Sequence, residues 1–259
     1  MRIAPSLTPP DMAGAKPPCE GFGVASLDRA FGGGLSPGRV HEVYAAEPDD
    51  AAAAIGFAMA LASVLTKEGQ RSVLWLRSRR AMRLGGVLQA QGWAELGGVP
   101  GMALLGVVPD ETALLRAAVD ALRCPALSMV VAESCGTMRE LDLTTSRRLA
   151  LTAEKSGVPL LLLRLGAKPV PSAAQTRWQV TSAPSKALAS HAPGAPVFDI
   201  TLLRQKSGPC GMNWRLEWDR DRRIFREATL SGDMVSVPAN RSAAVGTGGQ
   251  YSGASRSVA

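Results

Sequence analysis

The chain has 259 residues, 46% of them hydrophobic and 20% charged, which is enough apolar material for one well-packed domain with flanking segments but not for two large ones. Lysines and arginines number 29 against 22 acidic residues, a formal net charge of +7, so a polyanionic partner such as nucleic acid is worth testing but not required. Cys19, Cys124, Cys135 and Cys210 form no C-x-x-C pair and have only His41 and His191 to help, which excludes an obvious zinc site and reads as reduced thiols in a cytoplasmic protein.

The opening stretch, MRIAPSLTPPDMAGAKPPCE, is broken by prolines and lacks the apolar core of a signal peptide, so residues 1–20 are expected to form a flexible arm. A strand is predicted at RVHEVYA from Arg39, followed by a helix over Ala51 to Leu65. That helix falls short of the ~18 or more residues needed to cross a bilayer and is mostly alanine. Further strands follow at SVLWLR from Ser72, MALLGV from Met102, LSMVVA from Leu127 and VPLLLLRL from Val158, each a continuous apolar run of the kind covered on both faces. Between them, Glu111 to Arg123 puts Leu114, Leu115, Ala118, Val119 and Leu122 on one helical face, with Asp110 as N-cap. Another helix is predicted from about Leu141 to Lys155, ending at Gly157. This order predicts an α/β fold with a parallel sheet.

After Lys168 the pattern changes. TRWQVTS from Thr176, VFDITLLR from Val197 and NWRLEWD from Asn213 alternate as strands without long helices, and QKSGPCG supplies turn residues between the last two. The sheet is therefore expected to be mostly parallel, flanked by helices, and to end in antiparallel edge strands. Residues 231–259 are too poor in apolar side chains to fold and are expected to be a disordered tail, leaving a domain over 21–230.

FGVASLDRAFGGGLSPGRVHEVY closely resembles the segment that opens the RecA recombinase core, and the similarity continues through VVPDETALLRAAVDAL, MVVAES, PLLLLR and LLRQKSGP. Together with PSAAQTRWQV and NWRLEW, it resembles most the inducible mutagenesis protein A (ImuA) family, which is RecA-like and related in part to the SulA division inhibitor. A RecA-like core is the fold this resemblance implies. A P-loop needs G-x-x-x-x-G-K-[ST] so that backbone amides, a lysine and a hydroxyl can hold phosphate and Mg²⁺. In the stretch AAEPDDAA, Ala45 stands at the first glycine, Asp50 at the second, Ala51 at the lysine and Ala52 at the hydroxyl, with Glu47 and Asp49 between them. The chemical elements of the loop are absent. Carboxylates beside phosphates cost roughly 1 to 4 kcal/mol per close pair, whereas in a first helical turn they suit the helix dipole.

Where the recombinases carry a catalytic glutamate after the second strand, the chain has LRSRRAMR, and Glu133 matches the position of the metal-binding aspartate. The resemblance therefore implies a protein that is not an enzyme and holds neither cofactor nor metal. It further implies a DNA-facing loop around Arg164, Lys168 and Arg177, with Trp178 available to stack a base; the plainer reading makes Trp178 core and the arginines its solvated edge. Arg204 and Lys206 match the paired lysines with which RecA subunits reach a neighbour, and they join Arg77, Arg79 and Arg80 as candidate subunit or partner contacts. A solvated face is the plainer reading for these as well.

The function implied is that of a non-catalytic adaptor in SOS-induced translesion DNA synthesis and mutagenesis, cytoplasmic and nucleoid-associated during DNA damage. Its implied partners are an ImuB-type Y-family polymerase relative, RecA, a DnaE-type error-prone polymerase and single-stranded DNA, with no membrane. A DNA-binding modulator of RecA recombination and a SulA-like cell-division inhibitor are the rival readings.

Overall fold

The computed structural model describes residues 21–65, 71–99, 101–189, 192 and 194–228. The expected arm at 1–20, the tail at 231–259 and His191 lie outside the described residues. The parallel strands are β1 (Val40–Ala45), β2 (Ser72–Ser78), β3 (Ala103–Val108), β4 (Leu127–Cys135) and β5 (Leu160–Leu165). They are followed by β6 (Thr176–Ala183), β7 (Val197–Gln205), β8 (Asn213–Asp219) and β9 (Ile224–Glu227). The helices are α1 (Ala25–Ala30), α2 (Ala51–Leu65), α3 (Arg79–Gly85), α4 (Ala90–Glu95), α5 (Glu111–Ala121) and α6 (Leu143–Ser156).

Among the described residues the strands form one nine-stranded sheet in the order β3-β2-β4-β5-β1-β6-β7-β8-β9. β1 runs parallel to both β5 and β6, and the pairing turns antiparallel from β6 through β9. The expected fold class is thus the observed one, mostly parallel with antiparallel strands at the C-terminal edge.

Local chemistry explains the boundaries. Asp110 caps α5 by accepting the Ala113 amide at 2.8 Å, and Asp142 caps α6 by accepting that of Thr145 at 2.7 Å. Gly157 ends α6 at φ 78°, a left-handed conformation that glycine adopts without a steric penalty. Period-two alternation along the strands sorts the apolar residues into two cores. One joins Val43, Leu161, Leu163 and Trp178 to α2, and the other joins Val40, Leu160 and Leu162 to the inner faces of α5 and α6.

Together with the 3-10 turn before it, α2 provides 18 residues of mean hydropathy 1.3, long and apolar enough to cross a membrane by composition, yet 67% of that stretch is buried in the protein. It is the core helix on one face of the sheet. Around it lies an aromatic cluster: Trp178 stacks on Phe31 at 4.6 Å and 13°, and Phe57 meets Trp178, Phe198 and Phe225. These contacts dock β6, β7 and β9 onto α2 and the residue that ends α1 onto β6.

Three elements differ from expectation. β3 is an edge strand whose Leu104, Leu105 and Val107 are exposed, so it is not covered on both faces. α3 and α4 are too short for a helical period to stand out, and α3 starts where Ser78 accepts the Ala81 amide at 3.2 Å. β9 spans only Ile224–Glu227 and is held by its pairing with β8.

His41 lies fully inside this fold. Trp178 Nε1 can only donate, so Thr176 Oγ1 accepts from it at 2.7 Å and turns its own hydrogen to His41 Nδ1, also at 2.7 Å. Nε2 of the neutral ring then faces the Ser36 carbonyl at 3.4 Å. Burial, more than the charge of Arg39 and against the bond to Ser36, lowers its pKa from 6.5 to about 4. Between those values the folded chain binds fewer protons at this site than the unfolded chain, so stability falls as pH drops from 6.5 towards 4 and levels off below. We expect a loss of up to about 3 kcal/mol from this group. Urea unfolding at pH 7 and pH 4.5, paired with NMR titration of the imidazole, checks this; protonation of His41 near pH 6.5 would refute it.

Candidate functional site

The loop between β1 and α2 stands where the resemblance places a phosphate cradle. Three of its amides are already engaged: that of Ala46 donates to Val180 O at 3.0 Å, that of Glu47 to Asp50 Oδ2 at 3.2 Å, and that of Asp50 to Glu47 O at 3.0 Å. Pro48 has no amide hydrogen to offer. The other carboxylate oxygen of Asp50 accepts from the backbone and side chain of Ser182 at 2.8 and 3.0 Å, which ties the loop to β6. Asp50 is only 6% exposed, so this carboxylate fills the loop from within. Ala51, at the lysine position, is packed into the α2 core, while Glu47, Asp49 and Ala52 are exposed. Glu47 and Asp50 together form a capping box on the 3-10 turn Pro48–Asp50, directly before α2.

At the end of β4, Glu133 is completely buried. Arg77 on β2 grips it in two-pronged fashion, Nε to Oε2 at 2.8 Å and Nη2 to Oε1 at 2.6 Å, and Trp75 Nε1 adds a bond at 2.8 Å. Arg77 also donates to the Gly86 carbonyl at 2.7 Å. Arg77 is therefore corrected: at 3% exposure it is an internal counter-ion and no surface contact. Arg79 and Arg80, at the start of α3, are exposed as expected. A Cβ on Gly85 would lie 2.5 Å from Ile55 Cδ1 and 3.1 Å from both Arg77 Nη2 and Glu133 Oε1, so the helix approaches the ion pair only because glycine is there. Ser78 donates to Glu111 Oε1 at 3.2 Å near the same strand end.

On the opposite face of the sheet lies a second buried set: Glu42, Tyr44, Arg164 and Arg177. Arg177 Nε donates to Glu42 Oε2 at 2.7 Å, and its Nη2 reaches Ser172 Oγ at 3.1 Å and the Val170 carbonyl. Tyr44 Oη donates to Glu42 at 3.4 Å, and its ring lies between two guanidiniums, 5.7 Å from Arg164 and 5.9 Å from Arg177. Burial foremost, and then the Glu42 charge, push the Tyr44 hydroxyl pKa up. Arg164 is 1% exposed and donates to Gly136 O at 3.4 Å, while its Nε and Nη1 have no hydrogen-bond partner among the described residues.

The DNA-facing set is thus corrected residue by residue. Trp178 is fully buried in the aromatic cluster, Arg164 and Arg177 are internal, and only Lys168 of that group is exposed. A charge in the middle of an apolar strand such as VHEVYA was the available sign of a buried pair, but it does not name the partner. Arg204 Nη1 donates to Ser172 O at 3.0 Å and is half-buried, and Lys206 is exposed at the end of that strand. No cluster of three or more potential metal-ligating side chains occurs among the described residues.

Removing one member of a buried ion pair strands the other, at a cost of about 3–5 kcal/mol. We expect Arg77→Met to lose about that much, and Arg77→Met combined with Glu133→Gln to lose clearly less. Urea unfolding of the single and double variants measures the difference, and additive losses would refute the pairing.

No protein-family profile and no curated protein matches the sequence. Among 396 matching solved chains, the crystal structure of the RadB recombinase aligns at TM-score 0.55 with 15% identity, over 81% of this chain and all of that one. The chain therefore has a RecA/RadB-like fold, a nine-stranded sheet with a parallel body and an antiparallel C-terminal edge.

Proposed function

We propose that the protein is a non-catalytic RecA-fold adaptor of SOS-induced translesion DNA synthesis, acting with an ImuB-type Y-family polymerase relative and a DnaE-type error-prone polymerase. The observation that carries the non-catalytic part is Asp50. Its buried carboxylate takes the Glu47 amide and both donors of Ser182, in the loop where a nucleotide-binding relative would present amides to phosphate. An incoming phosphate meets that negative charge and finds Ala51 where a lysine is needed. Glu133 supports the same reading, since Arg77 and Trp75 occupy both of its oxygens. The pathway and the partners rest on the ImuA-like motifs, above all SAAQTRW.

Under this reading, calorimetry of the full chain with Mg-ATP registers no binding up to millimolar nucleotide, whereas titration with the ImuB-type partner registers a complex. ATP binding at micromolar strength would overturn the non-catalytic reading. Absence of a complex with the partner would overturn the adaptor reading.

A further inference from the structure

Helix α6 turns Ser146, Leu149 and Ala153 inwards and leaves much of its outer side exposed. Leu143, Arg147, Leu151 and Lys155 follow one another at intervals of four along that side, so they form a continuous row. Leu143 is 51% exposed and Leu151 66%, while Leu149 on the inner face is at 0%. Beside this row Arg148 and Thr152, with Arg123 and Pro125 from the turn after α5, help to line a groove of about 920 Å³. Arg123, Arg147, Arg148 and Lys155 bring positive charge to it, and no carboxylate lines it.

These cations are also available. Arg147, Arg148 and Lys155 form no ion pair among the described residues. Arg123 meets Asp120 at 3.3 Å in an exposed pair of the kind that contributes little and exchanges readily. Glu154 on the same helix is engaged by Arg39 at 2.8 Å, while Asp120 and Glu140 line an adjoining hollow with Arg116 and Arg148 and form no ion pair with Arg148.

We infer that this groove docks an acidic protein segment with an aliphatic or aromatic anchor, the anchor covering Leu151 and the carboxylates pairing with Arg147, Arg148, Lys155 and Arg123. Charge complementarity selects the acid, and the exposed Leu151 selects protein: nucleic acid would use the cations and leave that side chain in water. A second copy meeting the groove face to face would set cations against cations. The inference deepens the adaptor reading and rests on it in taking the partner to be a protein.

The test uses the full chain carrying the photo-cross-linker p-benzoylphenylalanine in place of Leu151, expressed in DNA-damaged host cells, with the same probe at exposed Val87 as a control. Sequencing of the captured peptide is expected to show a segment with more acidic than basic residues and at least one large apolar side chain. Arg147→Glu combined with Arg148→Glu, both at exposed positions, is expected to lower the yield at least about tenfold with unchanged circular dichroism. Capture of nucleic acid, of a second copy or of a neutral or basic segment overturns the inference, as does a yield no higher than at Val87 or unaffected by charge reversal.

The two readings fail separately. If the charge-reversed chain still binds the ImuB-type partner with unchanged affinity, the groove assignment falls and the adaptor stands. If the captured acidic segment belongs to a protein outside DNA synthesis, the groove stands and the adaptor falls.

Discussion

A carboxylate placed wholly inside a protein costs several kcal/mol unless it is neutralised by a partner of good geometry, and Glu133 is such a carboxylate. Much of the head of the sheet is arranged around meeting that cost. Arg77 lies beside it on the neighbouring strand, in register with it, and brings a planar fork that matches both oxygens. Trp75 shares one of them, Gly86 takes the remaining prong of Arg77, and α3 follows at once because Ser78 caps it. Gly85 lets that helix close over the pair against Ile55 of α2. The position of α3 therefore follows from an electrostatic requirement two strands away from the central β1.

The same requirement decides which charges remain for other molecules. Arg164 and Arg177 are spent inside, around Tyr44 and Glu42, and Arg177 holds the loop before β6 through Val170 and Ser172. The cations left outside are of another kind: Lys168 and Lys206 at strand ends, Arg79 and Arg80 at a helix start, and the ordered row along α6. That last group is combined with the exposed Leu151 in a shared groove.

The sequence made the frame legible wherever its signals were local. Apolar runs gave β1, β2, β4 and β5, and side-chain caps and a glycine stop gave the ends of α5 and α6. β3 carried the same kind of run yet lies at the edge, because run composition reports strand propensity and not the number of neighbours. The internal roles of Arg77 and Arg177 were not legible, since their carboxylates stand 56 and 135 residues away in the chain. Trp178 left two readings open, and its stacking on Phe31 decides between them. The P-loop position was readable as chemically empty, but the clamp from Asp50 to Ser182 spans 132 residues and needed the fold to be seen.

The packing of Ala51 limits how the loop can be changed. A lysine introduced there enters the α2 core rather than an open loop, beside an Asp50 whose carboxylate still braces β6. Removing Asp50 first loosens Ser182 and the capping box before any phosphate can repay the loss. Neither step is favourable alone, so single substitutions that open this loop to a phosphate lead downhill in stability, and only a concerted change of several residues avoids the loss.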